Sequence, residues 1–335
     1  MNITGTAPIN VTLKSDHALL DEVVVVGYGA QKKSNISGAV STVKTDELPK
    51  AASASLGEML RGRASGMNIT SNSASPGSSL NISIRGGLSG QKPLIVIDGV
   101  PQVSTGTVHS GTEYNGANKD TGLINLNPDD IETINILKDA SAAAIYGSDA
   151  SGGVILITTK RGKNGKPEIS YSGSVATQFI KDASHFMDAK DYMTEVNKVN
   201  KELNPNAEDI YPQGMIDNFV GKGTDWLDEV TRTGVVNEHN LSISGGADKT
   251  KYLISAGLYD HQGIAKNNSM NRITGRINLD QEFAKNLKAG LNTSFAQIRY
   301  KDVPLGDARQ SSSTLIYAAM TFNPTVPVRD ENGNF

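Results

Sequence analysis

The chain has 335 residues, 37% of them hydrophobic and 20% charged, with a formal net charge of −3 and no cysteine. That length accommodates two or three domains with sizeable cores. The even mix of signs offers no basic tract for nucleic acid, and the lack of cysteine excludes disulfide scaffolds and thiol nucleophiles.

In chain order, Ile9-Asn-Val-Thr-Leu13 alternates as one short strand and reads as the tail of a domain that begins earlier. Next comes Leu20-Asp-Glu-Val-Val-Val-Val-Gly-Tyr-Gly29, a run of strong β-propensity with no obvious hairpin partner at short range. It reads either as a buried strand or as an extended segment offered to another protein. A short strand is expected over Ile36–Val43. Ser55-Leu-Gly-Glu58 matches a capping box, predicting a short helix to about Arg63 that Gly66 ends.

The block from 81 to 159 is the most regular part. Asn81–Gly86 alternates, and Pro93-Leu-Ile-Val-Ile-Asp-Gly-Val-Pro101 is a short apolar run closed by a turn signal. After a polar, Gly-rich stretch, Ile131, Ile134 and Ile136 lead into a short helix that Asp139 or Ser141 caps and Gly147 stops. Gly152–Thr159 reads as a further buried strand. Together these predict a mixed α+β domain with long polar loops.

Beyond Lys160 the pattern changes to alternation. Ile169, Tyr171 and Val175 open a strand; His239, Leu241 and Ile243 mark a second; Tyr252, Ile254, Ala256 and Leu258 a third. Ile273, Ile277 and Leu279 alternate with Arg272, Thr274, Arg276 and Asn278 in a fourth, and Leu287, Leu291 and Phe295 mark a fifth. Gly245–Lys249 and Glu282–Asn286 are short turns, whereas the first two strands are separated by some fifty residues with a helix expected over Asp188–Val199. Five strands with one oily face fit either an outer-membrane barrel or a soluble sandwich, and the unequal connections favour the barrel. No stretch approaches the ~18 apolar residues of a membrane helix, which says nothing of spanning strands. The opening residues show no basic region followed by an apolar core, so no signal peptide is expected there.

Catalytic and metal-ligand patterns are weak. His109, His185 and His261 are isolated, Asp129 and Asp130 read as a turn or cap, and no nucleophile, base and orienter stand together, so no enzyme activity, metal or other cofactor is expected. Arg61, Arg63, Arg85, Asp98, Lys138, Asp139, Lys160 and Arg161 are read as structural contacts within the α+β domain or to the sheet beside it.

Seven stretches carry a resemblance: LDEVVVVGYG at 20–29, LRGRASGMNI at 60–69, ISIRG at 82–86, PLIVIDGVP at 93–101, LNPDDIETINILKDASAAAIYGSDASGGVILITTKRG at 126–162, TDWLDEV at 224–230 and HNLSISGG at 239–246. In these the chain resembles the N-terminal third of SusC/RagA-type TonB-linked outer-membrane transporters. The resemblance implies an α+β plug domain followed by an antiparallel transmembrane β-barrel, here about five strands of an expected 22. It divides the chain into a remnant of a carboxypeptidase-regulatory-like β-domain (1–15), a TonB-box region and tether (16–33), the plug (34–162) and the first barrel strands with long extracellular loops (163–335). It implies that Asp21, Glu22, Val23, Val24, Val25, Val26 and Gly27 contact TonB, with ExbB and ExbD acting through it. A SusD-like surface lipoprotein and outer-membrane lipid are the other expected partners, and a large oligosaccharide or peptide is the expected cargo. Tyr114, Tyr211 and Trp226, in the long loops, are candidates for stacking on it, against the simpler expectation that a loop aromatic anchors its own loop. Five strands leave two open edges in lipid, so the sequence is expected to be part of a longer protein. A secreted or surface-attached β-rich adhesion protein is the alternative.

Overall fold

The computed structural model describes residues 23–26, 29–32, 40–45, 55–71, 75–78, 80–86, 92–102, 121–139, 143–180, 186–303, 314–330 and 332–334. The expected strand at Ile9–Leu13 lies outside them, as do Asp21, Glu22, Gly27, Tyr114, His109 and His185.

The valine run is β1 (Val23–Val26), and it pairs antiparallel with β2 (Gly29–Lys32), Val26 opposite Gly29 and Val23 opposite Lys32. This corrects the expectation of no near partner. The signal was a connection of two residues with glycine first, Gly27-Tyr28, a hairpin signature that the polar composition of β2 concealed.

Two sheets build the N-terminal block. β3 (Val40–Lys44) lies at one edge of a five-stranded sheet that continues through β8 (Ile131–Leu137), β9 (Val154–Thr159), β6 (Leu94–Ile97) and β7 (Val100–Gln102). Only β6 and β9 run parallel. β4 (Met67–Ser71) and β5 (Leu80–Ile84) make a separate antiparallel pair. Between β3 and β4, α1 (Leu56–Leu60) starts where the Ser55 hydroxyl oxygen accepts from the Gly57 amide at 3.1 Å, and its buried Leu56 and Leu60 join the core. α2 (Thr121–Ile124) precedes a 3-10 turn at Pro128–Asp130, capped by Asn127.

β6 (Leu-Ile-Val-Ile) and the Val154–Ile157 stretch of β9 read as continuous apolar runs because both faces of the sheet are covered. Ile131, Ile134, Ile136, Ile155 and Ile157 pack with Leu56, Leu60, Ile82 and Ile84 on one side; Val96, Leu137, Val154 and Leu156 pack with Ala143 and Ala150 on the other. Each such side chain contributes about 1.5–3 kcal/mol by leaving water. Gly147 breaks the helical path as expected: its φ of +71 and ψ of −151 are not helical, and a separate 3-10 turn follows it to Ala150.

The second half is a meander of five neighbours in sequence order: β10 (Gly165–Gln178), β11 (Gly234–Ala247), β12 (Thr250–Gln262), β13 (Ser269–Ala284) and β14 (Leu287–Lys301). Ala247 pairs with Thr250, so the first short turn is tighter than Gly245–Lys249. The long connection carries α3 (Ala189–Leu203), capped by Asp188, then α4 (Gln213–Asn218) and α5 (Trp226–Val230). α6 (Leu315–Thr321) follows β14.

The faces of this sheet separate the two architectures left open by alternation. On β13, Ile273 and Ile277 are 47% and 44% exposed, whereas Arg272 and Arg276 between and beside them are 3% and 4% exposed. Leu258, Leu291 and Phe295 lie exposed on the same apolar side. A sandwich buries its apolar face against a second sheet. Here the polar face is buried, beneath the N-terminal block, and the apolar face looks outward as in a lipid-facing barrel wall. Along β13 the outward apolar residues run from Ile273 to Phe283 and along β14 from Leu287 to Phe295, eleven and nine residues, against the ~9–11 that a tilted spanning strand needs.

Candidate functional site

Three strand ends of the N-terminal block converge on one arginine of the wall. β6 reverses into β7 through Asp98-Gly99, with Ile97 opposite Val100. Both turn residues have positive φ, 48° and 87°, as a two-residue type I′ connection demands. The Asp98 amide donates to the Ile157 carbonyl at 2.9 Å, and its carboxylate then takes the place of the next rung: Oδ1 accepts from the Thr159 amide at 2.9 Å and Oδ2 from the Thr159 hydroxyl at 2.6 Å. On the other side of Thr159, its ladder partner Ile131 is preceded by Asp130, whose carbonyl accepts from the Lys160 amide at 2.7 Å.

From the wall, Arg276 Nη2 donates to Asp98 Oδ2 at 2.6 Å, to Thr159 Oγ1 at 2.5 Å and to Asn292 Oδ1 at 2.8 Å. Asn292 Nδ2 in turn donates to Asp98 Oδ2 at 2.9 Å. The ion pair is buried on both sides. Burial pushes the Asp98 carboxyl up, but hydrogen bonds from Thr159 and Asn292 and the Arg276 charge outweigh it and hold the group below the usual carboxylate range. Asp130 has the opposite balance: burial raises it more than Ser255, Arg276 and Lys160 lower it. Taking two charges out of water costs several kcal/mol, so this contact fixes position more than it adds stability; removing one partner of such a pair costs about 3–5 kcal/mol where no other group takes up the charge left behind.

Two further contacts hold the block to the wall. Asn127 Nδ2 donates to Asn240 Oδ1 at 2.7 Å, Asn240 Nδ2 donates to Asp129 Oδ2 at 2.9 Å, and the Ser172 hydroxyl donates to the same carboxylate. Toward the other end of the strands, Ile124 is buried with Val236, Tyr259 and Met270, while Arg272 lies over the Tyr259 ring at 5.0 Å and donates to the Ile124 carbonyl at 2.9 Å. Gly77 closes this contact: at φ +69, a Cβ there would stand 2.5 Å from Met270 Sδ and 2.9 Å from Ile124 Cδ1.

The residues singled out from sequence fall into different places. Val23–Val26 form β1. Tyr211 and Trp226 come together around one residue of the segment after β14: Asn323 Nδ2 donates to the Tyr211 hydroxyl at 3.1 Å, and its carbonyl accepts from Trp226 Nε1 at 3.0 Å. The Trp226 ring also meets Phe322 edge-on at 4.9 Å. Both aromatics thus tie two long connections together. His261 is buried with Nε2 3.0 Å from Gln178 Oε1. Arg85 pairs with Asp139, Lys138 with Ser65, and Arg161 with Asp280 of β13. Arg276, Asn292 and Thr159 were not singled out as site residues. Their signal was two arginines four apart on the polar face of a strand, a costly placement without an acidic partner opposite.

Comparison with known proteins agrees with this arrangement. The family profile described as TonB-dependent Receptor Plug Domain matches residues 32–154. The TonB-dependent receptor SusC of Bacteroides thetaiotaomicron is 38% identical over 327 residues, 96% of this chain and 30% of the relative. The chain belongs to the SusC/RagA-type TonB-dependent receptors. TonB-dependent receptor P3 of Formosa agariphila is 33% identical over 336 residues, 98% of this chain and 30% of that receptor. The RagAB peptide importer in its closed-closed state superposes with a TM-score of 0.68 at 26% identity, over 89% of this chain and 35% of the importer chain. The chain thus spans about a third of the length of the receptors it matches. The N-terminal block is the plug and the meander is part of the wall, which places the protein in the outer membrane.

Proposed function

We propose that this chain supplies the gate and the first wall strands of a TonB-driven importer that carries a large nutrient, an oligosaccharide or a peptide, across the outer membrane. The observation that carries this reading is the inverted sheet: apolar outside, polar inside, with the plug seated on the polar side through Asp98 and Arg276. The rest of a closed barrel, 22 strands in all, would come from the remainder of the receptor, since β10 and β14 each leave an edge unpaired among the described residues.

TonB, energised by ExbB and ExbD, would grip the segment from Asp21 to Gly27 by adding a strand to β1, a mode in which backbone bonds supply the affinity. The loop body built from α3 to α6 faces the opposite end of the strands and exposes Leu203 and Val220, which suits a seat for a SusD-like lipoprotein. One relative points to a cargo, RagAB being a peptide importer; the oligosaccharide alternative rests on the sequence resemblance.

The test is uptake by a complete receptor carrying Val25→Pro. Uptake should be lost while the receptor still inserts in the outer membrane; full uptake would overturn the gating reading.

A further inference from the structure

Around Arg276 the wall holds more polar capacity than the plug uses. Arg276 commits Nη2 to three partners, yet its Nε is buried with no hydrogen-bond partner among the described residues. Ser255, its cross-strand partner, has a buried Oγ without one, and so has Asn278 at Oδ1, two residues along the same inward face. These three side chains are 4%, 6% and 1% exposed. Asp130, itself buried, flanks Thr159 across the ladder from Asp98, and Thr159 carries the hydroxyl that Arg276 meets.

Buried polar atoms are nearly always paired, so three orphans side by side need an occupant. An anion would face Asp130 and the Asn278 oxygen; a cation would face the guanidinium. Water fits both, accepting from Arg276 Nε while donating to Asn278 Oδ1 and the Asp130 carboxylate, with Ser255 as a further partner. A cavity of about 120 Å³ lined by Asp98, Gly99, Tyr146, Thr158 and Arg161 borders Asp98 on its other flank.

We propose that an ordered water fills the space between Arg276, Ser255, Asn278 and Asp130, and that Asp130 is a second seat for the guanidinium, taken when Asp98 withdraws. Arg276 then never faces an uncompensated moment in the wall, the state that makes a broken buried ion pair so costly. The water hands over hydrogen bonds during the exchange, and Asp98 leaves toward the cavity that holds Arg161. The use of this exchange rests on the gating reading above; the occupancy of the site does not.

Two measurements on the complete receptor, both without TonB, decide it. A structure at a resolution that shows solvent should place a water within hydrogen-bonding distance of Arg276 Nε and Asn278 Oδ1; an empty space there overturns the first half. Hydrogen exchange of the β6 and β9 amides in Asp98→Asn, Asp130→Asn and the double variant tests the second. Asp98→Asn should speed exchange only a few-fold and Asp130→Asn hardly at all, while the double variant should exceed the product of the two by about tenfold or more, the size of coupling expected for groups sharing one partner. A double variant equal to that product would overturn the second seat. If the double variant does not assemble, the Asp98→Asn structure decides, since Arg276 must there have turned to Asp130.

Discussion

Proline scanning of β1 distinguishes how this strand is gripped. Val26 stands opposite Gly29, the spacing at which a two-residue hairpin closes with a bond between the flanking residues. Bonded and non-bonded pairs alternate along an antiparallel ladder, so Val26 and Val24 direct their amides to β2, while Val25 and Val23 present theirs at the free edge. Val25→Pro therefore deletes a donor from the docking edge and leaves the hairpin ladder whole. An acceptor of the incoming TonB strand is left unpaired, at about 1–3 kcal/mol, or about 5- to 150-fold in Kd. Val24→Pro instead removes a bond within a four-pair hairpin, at about 0.5–1.5 kcal/mol, and leaves the docking edge intact. Titrating the periplasmic domain of TonB against complete receptors carrying each substitution should show the larger loss for Val25→Pro. An equal or larger loss for Val24→Pro would refute docking on the free edge of an intact hairpin.

Gly77→Ala should loosen the plug where it meets Met270: a left-handed residue with a Cβ costs about 1–2 kcal/mol and the overlap with Met270 and Ile124 about 1–3 more, visible as faster proteolysis of the plug. Opposite pH responses are expected from the two plug carboxyls. Asp98, held below its ordinary value of 3.8, stabilises the seated plug above that pH and loses this as pH falls through its lowered pKa. Asp130, raised above 3.8, destabilises at neutral pH and stops doing so as pH falls through its raised pKa toward 3.8; difference profiles of Asp98→Asn and Asp130→Asn against the parent receptor, followed by thermal unfolding, should show the two signs. Asn323→Ala should free the Tyr211 hydroxyl while the backbone carbonyl at position 323 keeps Trp226, opening the connection that carries Tyr211 to protease more than the one at Trp226 and leaving strand exchange in β10–β14 unchanged.

Much of the fold was written locally. Alternation with a period of two marked all five wall strands, and the apolar runs marked β6 and β9, because each depends only on neighbours in sequence. What alternation cannot carry is which face meets what: the same Ile273 and Ile277 serve a sandwich core or a lipid-facing wall, and only the plug lying on Arg272 and Arg276 separates the two. The site shows the same limit. Asp98-Gly99 was legible as a turn, but the arginine that holds it lies 178 residues later, on a strand whose distance from the turn only the folded sheet sets. The β1–β2 pairing escaped for the reverse reason: Gly-Ala-Gln-Lys has little β-propensity, and the connection rather than the strand defines it.

The hairpin also gives the chain slack. Val23 and Lys32 sit side by side at its open end, so a load entering through β1 and leaving toward β3 parts the pairs one at a time, each rung bearing the whole load in turn. Parting all four frees the ten residues from Val23 to Lys32, which span roughly 33 Å when drawn straight. A partner must travel that stroke before tension reaches β3. On the gating reading proposed above, small excursions of the pulling partner would be absorbed there, and the plug would register only a sustained pull.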